Sequence, residues 1–490
     1  MPHDAGTPAG PRLASVPSGC PAHQAPGPRG GAAPGAAPVD EPARLYGQRF
    51  QDDPHGLYEE LRARHGSVAP VVLEGGVPAW LVVGYQALLQ LVRNPEVFSR
   101  DSRNWRDAAE GRVPADWPLW PMVAYMPAML YADGIEHQRR GGAVTDSLGR
   151  FDRRDLQRYV ERVADELIDA FVAEGEADLL VRFAQPLPLL AVGHVVGVPD
   201  EDGPDLVRAI NTMLDGGEDA LAAQREFAGI MGRTVANRQE APGPDVASRM
   251  LAHEAGLSAE EVLNDLLVVM TAGHQTTSNW IGNTLRLMLT DPRFHASVAV
   301  GRQTVADALE QVLWQDPPSQ NSAGRWATQD TLLDGTPIRA GDFLILGITG
   351  ANNDPEVRPR TDGPGASRAH LAWGSGPHMC PYPAQEIARM VCRTAVETIL
   401  RRLPDLRLAV PEEELTWRPT PWMRGLTALP VAFTPQRPTP GESAWTATAA
   451  PSTQSSSTPR PATSTERESA SAPPARSSRW SFLTRWLRGR

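Results

Sequence analysis

From Ser258 onward the chain carries a helix that cannot lie on a surface. Ser258 and Glu261 stand at capping-box spacing, so each side chain can satisfy a backbone N–H left free in the first turn. Val262, Leu263, Leu266, Leu267, Val268, Val269 and Met270 then occupy most faces. A helix apolar nearly all round runs through a core. The pattern carries past Trp280 towards Leu289 and stops near Asp291-Pro292. A central helix of that length predicts a large, mainly α domain.

The rest of the chain divides around it. Residues 1–42 are rich in Pro, Ala and Gly and read as a disordered leader, because they cannot bury enough apolar surface to offset chain entropy. A folded region is expected over 43–435. Within it, Val68 to Val83 reads as a hairpin broken at Gly75-Gly76, and a helix follows over about Gln86–Asn94. Residues 436–478 are rich in Pro, Ser and Thr and read as a flexible tether. Residues 479–490 set Trp480, Phe482, Leu483, Trp486 and Leu487 on one helical side, with Arg485 and Arg488 opposite. That is the pattern of a short basic amphipathic tail that lies on a membrane surface or docks to a protein.

Charge and cysteine content exclude several classes. The net charge of −11 argues against a general nucleic-acid binder. The chain has 47 basic residues, all Arg. Its three cysteines cannot make a disulfide framework, and none are paired as CxxC. No signal peptide is read at the N-terminus. No apolar run reaches the length of a membrane span, because Asn264 and Asp265 interrupt the best candidate. A cytoplasmic protein is expected, peripheral at the inner membrane face if the tail engages lipid.

The chemistry concentrates at residues 370–389, HLAWGSGPHMCPYPAQEIAR. Gly374 and Gly376 lead to Cys380 and let the backbone pass close to a flat cofactor. Pro381 and Pro383 end the loop, and a helix is expected from about Gln385. Cys380 then sits just before a helix N-terminus, which favours a thiolate. A lone cysteine is more often a buried, inert side chain. The register decides otherwise. Trp373, Gly374, Gly376, His378 and Cys380 match the haem-loop pattern aromatic-G-x-G-x-H/R-x-C-x-G, and the sequence here resembles the cytochrome P450 family. Tyr382 stands where that family has Gly, and Ala388-Arg389 lies two residues further on than is usual. Residues 82–101, 185–202 and the ANNDP of 351–355 also resemble soluble bacterial members, in order, so the resemblance covers about 43–435. It implies the helix-rich triangular prism with a small β region, a haem b cofactor, and Cys380 as the iron ligand.

The resemblance assigns further residues. Ala272-Gly273-His274-Gln275-Thr276-Thr277 is similar to the family's oxygen-side segment. There Gly273 leaves room for a ligand and lets the helix open, and Thr276 handles oxygen or an ordered water. Gln275 stands where most members carry an acid that relays protons. It can hold a water but cannot ionise. His274 titrates near neutrality but points about 100° away on a helix, so packing is its expected role. Arg325, His137 and His378 match positions that serve the haem propionates. The usual Arg four residues after His137 is Gly141, which leaves Arg139 or Arg140 as substitutes. The family's E-x-x-R pair is missing. Aligned on Asp316-Pro317-Pro318, Gln311 and Trp314 take the two places, and a Gln amide and an indole N–H can replace the pair with neutral hydrogen bonds. A small actinobacterial group within the family likewise ends this segment in Leu-Trp.

Two functions follow. One is a haem-thiolate monooxygenase that takes electrons from a ferredoxin and ferredoxin reductase and inserts oxygen into an apolar small molecule. The other is a haem-binding protein of the same fold with a regulatory or complex-forming role and little activity. The second draws on the missing acid, ion pair and propionate Arg, and association that depends on 436–490 would mark it. Trp105, Trp117, Trp120, Met122, Met126 and Met129 read either as a substrate wall or as core.

Overall fold

The computed structural model describes residues 41–215, 219–291, 304–357 and 368–439. Most of the proposed leader, tether and tail lie outside these residues. The elements used below are the helices α1 (Pro54–His65), α2 (Tyr85–Arg93), α3 (Gly134–Leu148), α4 (Arg153–Asp169), α5 (Pro186–Val196), α6 (Ala220–Glu240), α7 (Ala259–Thr290), α8 (Val305–Gln315), α9 (Ile348–Asn352) and α10 (Tyr382–Arg402). The strands are β1 (Ala43–Arg44), β2 (Val68–Leu73), β3 (Val77–Val82), β4 (Phe98–Ser99), β5 (Ser322–Ala327) and β6 (Phe343–Leu346).

The central helix is α7, of 32 residues. Both halves of its capping box are made: the Ser258 hydroxyl accepts from the Glu261 N–H, and the Glu261 carboxylate accepts from the Ser258 N–H. It ends at Asp291, one residue before the proline that cannot continue it. Helices α5, α6, α8 and α10 pack on it. The main apolar cluster gathers where they meet, with Val262, Leu266, Met270, Ile281 and Leu285 of α7 all buried. Among the described residues no helix is long and apolar enough to cross a membrane.

The β region is small. Its six strands run in the order β1-β2-β3-β6-β5-β4. β2 and β3 form the expected antiparallel hairpin around Gly75 and Gly76. A second apolar cluster lies against this sheet, and it settles the tryptophan question. Trp105 and Trp117 are fully buried there, and Trp105 stacks among Trp117, Trp120, Trp326 and Phe343. These two rings are core; only Trp120, Met122, Met126 and Met129 keep access to solvent or a cleft. The packed chain runs on to Thr439: the Gln436 N–H and side chain bond to the carbonyls of Val172 and Arg402, and the Thr439 N–H to Asp169.

Candidate active site

The cysteine loop lies between α9 and α10. Its backbone is folded back on itself: the Cys380 N–H donates to the Trp373 carbonyl at 2.9 Å, and the Met379 N–H to Gly376. Gly376 has φ +73°, and a Cβ there would lie 2.4 Å from the carbonyl oxygen of Val92 on α2, so no other residue fits. Pro381 and Pro383 start α10, which begins at Tyr382, three residues before the position expected from the sequence. The Gln385 amide donates to the Cys380 carbonyl at 2.8 Å. Burial pushes the Cys380 thiol up to about 12. A cation on the sulfur is what would ionise it, and metal binding would release the proton.

A group of buried charges flanks the loop. Arg325, on β5, is 3% exposed; its Nη1 donates to the Gly324 carbonyl at 3.0 Å, and its Nε has no partner. Arg100 donates to the same Gly324 carbonyl at 2.9 Å and to Ala323 and Leu130. Gly324 sits at an irregularity of β5 with φ +91°, which aims one carbonyl at two guanidiniums. Burial, and then Arg100, lower the Arg325 pKa well below its usual range. Asp133 is the acid in this group. Burial opposes its charge, but hydrogen bonds from His378, Ser99 and the Arg100 N–H hold it below the usual carboxylate range. Two cations against one carboxylate leave a buried positive excess, which an anionic ligand would neutralise.

The two histidines join this group. The rings of His137 and His378 lie 3.9 Å apart, and His137 Nε2 bonds the Pro377 carbonyl at 3.1 Å. His378 Nε2 bonds Asp133 at 3.1 Å while its Nδ1 is buried without a partner. Burial lowers His378 to about 4, with Arg325, His137 and Arg100 adding to the effect against the Asp133 bond. The structure thus brings Cys380, His378, His137 and Arg325 together and adds Arg100. That residue was hidden in the stretch 82–101, and nothing local in the sequence marks it as a ligand.

The substitutes expected for the missing propionate Arg are committed elsewhere. Arg139 pairs with Glu136 and Glu261. Arg140 makes a bidentate pair with Asp265, at 2.9 and 2.8 Å, in which the carboxylate is fully buried. Both bind the N-terminal part of α7 to α3. This is the opposite of an open anion site.

On α7, the stretch around Ala272 is open: Thr271 and Ala272 are exposed, and Gln275 and Thr276 half-buried. The Thr276 hydroxyl donates to the Ala272 carbonyl at 2.5 Å. Its proton is thereby used within the helix, and its lone pairs remain to accept from a water. Gly273 does not serve as expected. A Cβ there would lie 3.0 Å from Val192, so the glycine lets α5 pack close and does not make room for a ligand. His274 packs, as the helical wheel suggested. Its Nε2 bonds the Gln185 carbonyl at 3.1 Å, and burial lowers it to about 4. Gln275 lines a small polar pocket with Gln185, His274, Ser278, Asn279 and Arg418. The Ser278 hydroxyl and the Asn279 amide nitrogen are buried there without protein partners, which suits an ordered water.

The helix and the loop touch. One turn past Thr276, the Trp280 ring meets that of Trp373 edge-on at 5.4 Å. The Cys392 thiol of α10 contacts the Thr277 carbonyl at 3.8 Å. These contacts pack α7 against the cysteine loop and α10.

Known proteins are similar to the chain in sequence and in fold. The chain is 32% identical over 398 residues to the cytochrome P450 monooxygenase PikC of Streptomyces venezuelae, covering 79% of this chain and 92% of that one. It is 29% identical over 401 residues to the vitamin D(3) 25-hydroxylase of Pseudonocardia autotrophica, covering 80% and 96%. A solved structure of CYP154C4 from a Streptomyces species superposes with a TM-score of 0.71 at 27% identity, covering 81% of this chain and 99% of that one. The enzyme CxnD, for C–S bond formation in chuangxinmycin biosynthesis, gives 0.70 at 27%, covering 82% and 100%. No family model matches the chain. The fold and site define a haem-dependent monooxygenase. The chain belongs to the cytochrome P450 family.

The residues present fit haem b. The sulfur of Cys380 is a ligand for iron, and the unpartnered Nε–H of Arg325 is a donor for a carboxylate, of the kind an iron porphyrin with two carboxylates requires.

Proposed function

We propose that Cys380 ligates the haem iron, that Arg325, Arg100, His378 and His137 receive the propionates, and that Thr276 with Gln275 manages water on the oxygen side. The bound haem supplies the activation of oxygen and its transfer to substrate. The chain's residues supply the rest. Cys380 is half-buried, and the backbone bond at its own N–H fixes the position of its sulfur. Thr276 accepts from a water, and Gln275 positions one in the polar pocket beside it. Neither Gln275 nor His274 is an acid there, so protons reach the oxygen side through water and hydroxyl groups.

The substrate is an apolar small molecule admitted beside Ala272, an open stretch of a helix whose other faces are apolar. Electrons come from a ferredoxin and its reductase. The surface nearest Cys380 supports a protein donor: Met379 and Tyr382 of the loop and Ile135 of α3 are exposed at 45%, 67% and 84%. The observation that carries the reading is the cysteine loop, closed on Cys380 beside a buried positive excess. The test is the carbon-monoxide spectrum of the reduced protein. A red-shifted thiolate Soret band is expected, and Cys380→Ala abolishes it. Retention of that band in Cys380→Ala would overturn the assignment.

A further inference from the structure

The helix before the D-P-P turn lacks the charged pair that its family relatives are expected to carry, and the structure shows what occupies its place. Gln311 does not bond Trp314; its amide donates along the helix to Gln315 at 3.2 Å, while the Trp314 ring packs edge-on against His370. One residue earlier, the Glu310 side chain is 14% exposed and faces two partners from outside its helix. Arg389 of α10 forms an ion pair with it, and His370 Nε2 lies 3.2 Å from its carboxylate.

His370 fixes the direction of this contact. The Ala372 N–H donates to His370 Nδ1 at 3.3 Å, so Nδ1 carries the lone pair and Nε2 carries the proton. A neutral imidazole thus donates to the Glu310 carboxylate while accepting from the backbone of the segment that becomes the cysteine loop. The next residue in that segment is held the same way. The Leu371 N–H donates to Asn352 of α9 at 2.7 Å, and the Asn352 amide donates to the Leu313 carbonyl of α8 at 3.0 Å. Arg389 closes the other side. Its guanidinium lies 5.4 Å from the Trp373 ring and 5.9 Å from that of Trp280. Trp373 is the residue whose carbonyl receives the Cys380 N–H.

We propose that Glu310, His370 and Arg389 are the brace behind the cysteine loop in this chain, replacing the missing E-x-x-R pair. They are positioning residues: they act on the sulfur through the backbone of Ala372 and the ring of Trp373. The inference rests on Cys380 being the iron ligand. It also explains the displaced Arg. Lying two residues later than is usual for the family, Arg389 falls opposite Glu310, itself one residue before the usual Glu position.

The test uses the full chain loaded with haem, read by the reduced carbon-monoxide spectrum and by the rate of haem transfer to apomyoglobin. In Glu310→Leu and Arg389→Met, the thiolate band gives way to that of a neutral thiol, and haem leaves about 10- to 100-fold faster, the usual cost of removing a supporting partner. Glu310→Gln keeps an acceptor for His370 but loses the charge facing Arg389, and falls between. Gln311→Ala behaves as the unsubstituted chain. If Glu310→Leu does not fold, Glu310→Gln and Arg389→Met decide. The brace is overturned if both keep the thiolate band and release haem within about twofold of the unsubstituted rate, well short of that cost. Cys380→Ala separates the two claims: loss of the band there with no change in the Glu310 and Arg389 variants rejects the brace alone.

Discussion

The two sides of the candidate site are held by different means. The oxygen side is one helix whose defining contacts are local: Ser258 with Glu261, and Thr276 with Ala272. A buried Arg140–Asp265 pair is among its distant ties. The cysteine side has no such element. Its loop takes its shape from Glu310, 60 residues earlier in the chain, from Asn352, and from Arg389 on the following helix. Local contacts can be read from sequence spacing, whereas distant ones depend on how several elements pack.

The comparison can be broken at its strongest point. Asp265→Leu leaves Arg140 buried without its carboxylate and lowers the unfolding free energy by about 3–5 kcal/mol. Arg140→Met in the same chain recovers most of that, because two neutral side chains can pack where one charge cannot. Urea denaturation of the two single variants and the double variant measures it. Equal losses in all three would show that the pair matters only for packing volume.

A histidine on each side sharpens the contrast. Burial lowers both His274 and His370 to about 4 from a usual 6.5. The unfolded chain then binds more protons than the folded one between those values. The stability each contributes is whole above about 6.5 and is lost as pH falls towards 4, at about 1.4 kcal/mol per pH unit for each histidine. His274→Asn and His370→Asn should each flatten the denaturation midpoint between pH 6.5 and 4. Only the second should also disturb the carbon-monoxide spectrum, because only His370 bonds the loop. The smallest effect belongs to the local contact. Ser258→Ala costs about 1 kcal/mol and leaves that spectrum unchanged. A spectral change would mean that the oxygen-side helix also sets the cysteine loop.

The same distinction governs what the sequence made legible. The central helix, its cap, its end at Asp291, the Gly75-Gly76 hairpin and the helix after Pro381 all carry signals within a few residues, and the structure has them. The group around Cys380 was legible because five residues sit in one motif. What failed was non-local. Arg139 and Arg140 are in the right stretch, but Glu261 and Asp265 claim them. Gly273 has the expected residue type but faces Val192. Arg100 reaches the site only because Gly324, 224 residues later, presents a carbonyl to it. Glu310 lies one residue before the position that the D-P-P register marks, and its partner Arg389 is visible in the sequence only as a displaced motif.

The contact between Glu310 and Arg389 has a consequence for biosynthesis. A chain leaving the ribosome has α7 complete long before α10 exists, and a capped, apolar helix can form and collect neighbours early. The sulfur cannot be set in place on that schedule. Its proposed support needs Arg389, so the cysteine loop gains that support only after α10 has been made. A chain cut short before α10 would hold the oxygen-side helix without the proposed support of its counterpart.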